Sequence, residues 1–184
     1  MRALALNPPA GAVRTVGHLV LFEAAWFAGV LGAARGEAHL GMAVVAAAIA
    51  LNLWMSARRR HELALLAVAI VLGVVFDGAL ARSGWVVYAD SALQPAWPPA
   101  WIVAQWALFA TLLCGPLRWL HGRLPLAALL GALGGPMAYL GGERLGAINF
   151  VERGPALAFL AVGWAMATPL LLHLARRGLT EGKR

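Results

Sequence analysis

Six uninterrupted apolar stretches, at about 16–33, 39–56, 63–81, 99–115, 125–142 and 155–175, constrain this chain more than any other feature. Each is close to the roughly 20 residues that a helix rising 1.5 Å per residue needs to cross a hydrocarbon core about 30 Å thick. Such runs predict membrane-spanning helices, because a helix satisfies its backbone polar groups internally where no water is present. Hydrophobic residues make up 61% of the chain and charged residues 12%, against about 45–50% and about 25% in soluble domains. An ordinary water-soluble fold is thereby excluded. In 184 residues, six crossings leave no room for an extramembrane domain. The expected fold is an all-α integral membrane protein, one transmembrane domain over 1–184 forming a compact bundle of six helices.

The placement of the basic residues predicts orientation. With the N-terminus inside, Arg2, Arg14, Arg58, Arg59, Arg60, Arg118, Arg123, Arg176, Arg177, Lys183 and Arg184 fall on the inner side, and only Arg35, Arg82, Arg144 and Arg153 on the outer. Basic residues concentrate in cytoplasmic loops, so the chain reads as N-in and C-in in a bacterial inner membrane. The net charge of +7 is then an orientation signal, and nucleic acid is not an expected partner. Glu23 inside the first apolar run fits a cleavable signal peptide poorly, so that segment reads as a retained helix. Trp54 and Trp119 at inner helix ends, and Trp85, Trp97 and Trp101 on the outer side, read as interfacial anchors. The loop 82–98, with Pro95, Pro98, Pro99, Trp85, Tyr88 and Trp97, reads as interfacial.

Small residues recur at helix-packing spacing: Ala25, Gly29 and Ala33; Ala43 and Ala47; Gly131 and Gly135; Ala138 and Gly142; Gly163 and Ala167. In lipid such stripes let backbones approach closely. Pro136 and Pro169 lie inside the fifth and sixth stretches and leave the carbonyls of Ala132 and Ala165 without their helical donors. Each is either a packing kink or a bend that opens a pocket. Trp26, Trp106 and Trp164 lie near mid-span and either fill the core or line a cavity.

Ionisable side chains within spans cost roughly 2.5–3.5 kcal/mol each on insertion scales and are candidates for function. Here they are Glu23 and Asp77, joined by the polar residues Asn52, Gln105, Thr111 and Tyr139. Counting from helix ends places Asp77 about 6 Å and Gln105 about 9 Å below the outer surface. Tyr139, Glu143 and Arg144 stand at the outer end of the fifth helix, so these five residues form one candidate polar pocket. Asp77 reads either as salt-bridged to Arg144 or Arg82, with Arg144 better spaced, or as a ligand or proton site. Glu23 and Asn52 lie toward the inner side and form a second candidate site, where a protonated Glu23 would bond Asn52.

The single Cys114 excludes an internal disulfide or thiolate cluster. The histidines His18, His39, His61, His121 and His173 show no metal-ligand spacing, so no metal is expected. No nucleophile elbow, phosphate loop or paired-cysteine motif occurs, and no cofactor is expected.

The segments Trp26 to Ala34, Phe76-Asp77-Gly78, Pro99-Ala100-Trp101, Trp106 to Thr111, Arg118-Trp119-Leu120 and Leu133 to Tyr139, in that order and spacing, resemble the bacterial inner-membrane family called domain of unknown function two-eight-seven-eight. The resemblance covers about residues 16–175. It implies no established activity. It does imply a genetic setting beside cyclopropane-synthase-like methyltransferases and flavin oxidoreductases that modify fatty acyl chains, and Gln in many relatives where Glu23 stands.

Three functions compete on this reading. The first is a lipid-binding or accessory protein whose partners are membrane lipids and a lipid-modifying enzyme docked on the basic inner face. The second is a small-solute or proton-linked transporter using Asp77, Gln105, Tyr139 and the Pro136 bend. The third is an intramembrane lipid-modifying enzyme with Asp77 or Glu23 as general acid or base.

Overall fold

The computed structural model describes residues 10–90 and 97–181. Arg2, Pro95, Lys183 and Arg184, used above for orientation and for the interfacial loop, lie outside the described residues. The helices are α1 (Ala10–Ala34), α2 (Ala38–Met55), α3 (Arg59–Arg82), α4 (Ala100–Ala110), α5 (Leu124–Arg144) and α6 (Arg153–Glu181). A 3₁₀ turn occupies Pro116–Leu120, and two strands, β1 (Val86–Tyr88) and β2 (Ile148–Phe150), complete the order.

Five helical segments are long and apolar enough to cross a membrane: Gly11–Ala34, Ala38–Met55, Arg59–Arg82, Leu124–Arg144 and Arg153–Gly178. The architecture is that of a multi-pass membrane protein. The stretch 99–115, expected as one span, departs from this pattern: α4 has 11 residues, only about 16 Å of helix. After Ala110 the chain tightens. The N–H groups of Thr111, Leu112 and Leu113 donate to carbonyls three residues back, at 3.1, 3.0 and 3.2 Å, and the Thr111 hydroxyl takes the Leu108 carbonyl at 2.7 Å. Pro116 then bars Gly115 from helical geometry. The apolar run supplied the hydropathy of a span but not an unbroken helix.

Despite its length, α4 is the centre of the bundle. Trp101, Ile102, Gln105, Trp106, Ala107, Leu108 and Ala110 are all buried, and it packs on α1, α2 and α3. Around it the chain forms the antiparallel pairs α1/α2, α3/α4 and α5/α6, and α3 leans on α6. The loop 82–98, expected as interfacial coil, contains β1, which pairs antiparallel with β2 in the register Val86↔Phe150, Val87↔Asn149 and Tyr88↔Ile148. This paired-strand end carries Arg35, Arg82, Arg144 and Arg153. The opposite, basic end joins α3 to α6 through Arg58 Nη1 donating to the Gly178 carbonyl at 3.0 Å.

Small residues make the closest approaches, though not all those expected. A Cβ at Gly41 would stand 2.5 Å from the Ala28 carbonyl oxygen and 3.0 Å from Gly29 Cα, so α1 and α2 meet backbone to backbone there. Ala43 and Ala47 are instead exposed, and the inward face of α2 is Gly41, Val45 and Ala48. Gly131 and Gly135 seat α5 against Trp164 of α6, and Gly163 admits the Phe76 ring. Both α5 and α6 remain helical through Pro136 and Pro169.

Gly41→Ala is expected to destabilise the protein by about 1–3 kcal/mol, because backbone on both sides must move. Gly134→Ala meets no atom within 4 Å and is expected to stabilise by up to ~1 kcal/mol through helix propensity. Thermal denaturation of the two variants in detergent distinguishes them.

Candidate functional site

Asp77 lies near the paired-strand end of α3 and is wholly buried, with 0% exposure. Three neutral donors converge on its carboxyl group. Tyr88 of β1 donates its hydroxyl to Oδ1 at 2.6 Å, Tyr139 of α5 donates to the same oxygen at 2.5 Å, and Trp106 of α4 donates Nε1–H to Oδ2 at 2.6 Å. Both tyrosines of the chain therefore serve one carboxylate. The expected salt bridge does not form: Arg144 and Arg82 are exposed, and Arg82 lies over the Trp97 ring at 4.9 Å. An ion pair here would have required burying an arginine beside the carboxylate, whereas phenols and an indole bring donors on largely apolar bodies.

The local sequence explains how the indole reaches Asp77. Gly73 lies one helical turn before Asp77 on the same face, and a Cβ there would stand 2.6 Å from Trp106 Cγ. The glycine makes room for the ring and the aspartate holds its N–H. Trp101, expected as an interfacial anchor, is 1% exposed and donates its N–H to the Ala89 carbonyl at 2.9 Å. It thereby fastens the segment carrying Tyr88 to α4.

Of the five residues grouped into an outer pocket, only Asp77 and Tyr139 bond each other. Gln105 donates from Nε2 to the Trp26 carbonyl at 3.4 Å, while its buried Oε1 has no hydrogen-bond partner among the described residues. Glu143 faces the rim and pairs with Arg153 at 2.6 Å; Arg144 is exposed. Glu143 shares the face of Tyr139 but stands a full turn farther out, at the rim, and Arg144, five residues on, is rotated away from that face. The second grouping also separates. Asn52 donates to Glu62 at 2.8 Å, Ser56 donates to the same carboxylate at 2.6 Å, and Glu23 projects from α1 elsewhere. Depth alone could not reveal that Glu23 and Asn52 face different neighbours.

Glu23 borders a recess, a cavity of about 440 Å³. It opens between α1, which packs on α2 and α4, and α5, which packs on α6. Phe22, Glu23 and Trp26 form one wall, Gly131, Gly134 and Ala138 the other, and Trp164 and Thr168 the floor. These positions lie in the middle of α1, α5 and α6. A chamber of about 80 Å³ shares the Trp26, Ala138 and Trp164 walls and adds Gln105, Trp106 and Tyr139. Trp164 stacks on Trp106 at 4.4 Å and 16°, which connects the recess to the Asp77 cluster. Its Nε1, like Thr168 Oγ1, is buried without a partner among the described residues.

Tyr88, Gly73 and Thr168 have no place in the sequence reading of these sites. The spacing of Gly73 and Asp77 is a visible signal, since a small residue one turn from a buried acid leaves space for a large donor. For the recess the signal is the mid-span tryptophans, read as core or cavity lining: Trp26 and Trp164 line it, and Trp106 borders the adjoining chamber.

Fold and site together define a helical multi-pass membrane protein with a buried carboxylate hub and a lateral recess. The model of a family described as a protein of unknown function, DUF2878, matches residues 15–170, and the chain belongs to that family. No curated protein and no solved structure matches it.

Asp77→Leu leaves three buried donors unsatisfied and is expected to lower stability by more than about 3 kcal/mol, while Trp106→Phe removes one donor and costs about 1.5–3 kcal/mol. Melting temperatures in detergent test both. Burial, reinforced by the charge of Asp77, pushes the Tyr88 hydroxyl well above its ordinary value. Its contribution to stability is therefore complete below the free tyrosine value of about 10 and is lost as pH rises through the folded value. In Tyr139→Phe, where Tyr88 is the remaining tyrosine, the phenolate absorbance is expected to appear only well above pH ~10.

Proposed function

We propose that this protein is a membrane-embedded binding protein for a lipid-like amphipath, which enters sideways from the bilayer between α1 and α5. One observation carries the reading: a recess of about 440 Å³, within the usual range of roughly 300–1,000 Å³ for small-molecule sites, stands at mid-span and contains buried polar atoms without partners. Outside that level lies hydrocarbon rather than water, so an occupant must be mostly apolar. Unsatisfied polar groups in such a place cost free energy, and an occupant with a matching polar group removes that cost.

On this reading Asp77 holds β1, α4 and α5 together and positions Trp106 under Trp164, instead of conducting protons or acting as a general base. Three donors occupy it and it has no exposed surface. The basic end faces the cytoplasm of a bacterial inner membrane. Its exposed Arg59, Arg60, Arg118, Arg123 and Arg176 suit anionic headgroups or the acidic surface of a lipid-modifying enzyme. An accessory role in fatty-acyl modification is compatible with these two features and rests on the genetic setting that the family resemblance implies.

Gly134 tests the recess, because it lines the wall and a Cβ there meets nothing within 4 Å. Gly134→Trp is expected to fill the space and reduce co-purifying lipid, measured by mass spectrometry, several-fold with the melting temperature preserved. Equal lipid content in the two proteins overturns the proposal.

A further inference from the structure

The 80 Å³ chamber at the side of the recess carries a hydrogen-bonding pattern that narrows the occupant. Gln105 is 8% exposed. Its Nε2 is committed to the Trp26 carbonyl, which can only accept, so the amide is oriented and Oε1 is left as an unpartnered acceptor. Trp164 borders the same chamber, and its Nε1–H, which can only donate, is also unpartnered. A single group that serves both atoms has to donate to one and accept from the other. A hydroxyl does both, whereas an ether or ketone cannot donate to Gln105, and an ionised carboxylate cannot either.

Charge points the same way. Among the described residues no basic side chain lines the chamber or the recess, and two acids are close by. Glu23 borders the recess, and Asp77 stands behind Tyr139 and Trp106 in the chamber wall. An anionic head would meet like charge in a medium of low dielectric, which is repulsive. The chamber has room for a small head, since a water molecule takes about 30 Å³ in the liquid.

Building on the proposed lipid-binding reading, we infer that the ligand is a neutral amphipath with a terminal hydroxyl. The hydroxyl sits in the chamber, donating to Gln105 Oε1 and accepting from Trp164 Nε1, and the chain runs along the recess beside Gly134.

The test uses the full chain in detergent micelles and a brominated long-chain alcohol that quenches tryptophan fluorescence on binding. Competitors of matched chain length are the unbrominated primary alcohol, its methyl ether and the corresponding carboxylate. The alcohol is expected to compete at least about tenfold better than the ether or the carboxylate, the size of effect expected for one unsatisfied buried group. Gln105→Leu is expected to bring the ratio of alcohol to ether close to one while ether binding persists. The comparison of competitors on the unaltered protein needs no variant and stands even if Gln105→Leu fails to fold. Equal competition by alcohol and ether, or preference for the carboxylate, overturns the hydroxyl assignment and leaves the recess as a lipid site. Quenching that persists unchanged in Gly134→Trp overturns the recess itself, and the hydroxyl assignment with it.

Discussion

The Asp77 carboxylate is the interaction on which the rest of this structure depends. An acid buried inside a membrane-spanning bundle is costly unless neighbouring groups satisfy it. Here the enclosure draws one donor from each of three elements that are distant in sequence: Tyr88 in β1, Trp106 in α4 and Tyr139 in α5. The carboxylate therefore ties the paired-strand end to α4 and α5. Helices in lipid lack a hydrophobic force between them, and a shared polar centre supplies direction that apolar packing alone does not.

The consequences travel along the aromatic side chains. With its N–H held by Asp77, the Trp106 ring lies where Trp164 stacks on it and where Phe76 meets its edge at 5.6 Å. Phe109 meets Trp164 edge-on at 5.2 Å. Trp164 is in turn the surface on which Gly131 and Gly135 seat α5. The width of the space between α1 and α5 thus follows from a hydrogen bond made one layer deeper. The short α4 contributes from the other direction. Because the helix stops at Ala110, Leu112 and Leu117 turn into the recess and line it toward the basic end, where a continued helix would have carried the chain past.

Much of this was legible in the residues. Asp77 stood out because an acid in an apolar run is costly, and Tyr139 was placed beside it by depth. The membrane-spanning character and membership of the family were also readable. Depth gives level but not azimuth, so it cannot separate Arg144 and Gln105 from Asp77 or Glu23 from Asn52, whereas Glu143 shares the azimuth of Tyr139 and differs by one turn of height. Tyr88 was passed over as part of an interfacial loop, since pairing between Val86–Tyr88 and Ile148–Phe150 joins segments separated by two helices. The end of α4 was closer to view, because Gly115-Pro116 is a local breaker within an otherwise apolar run.

What the amino-acid sequence determined by itself is the solvent this protein folds in and the elements it folds into. Hydropathy and the 3.6-residue repeat act through local backbone satisfaction, which needs no knowledge of neighbours. The tertiary structure alone decided which polar groups meet, and that the meeting of α1, α4, α5 and α6 leaves a recess with unpartnered Trp164, Thr168 and Gln105 atoms. A cavity is the space that several surfaces fail to fill together. No single helix encodes it, and it appears only once the packing of all four is known.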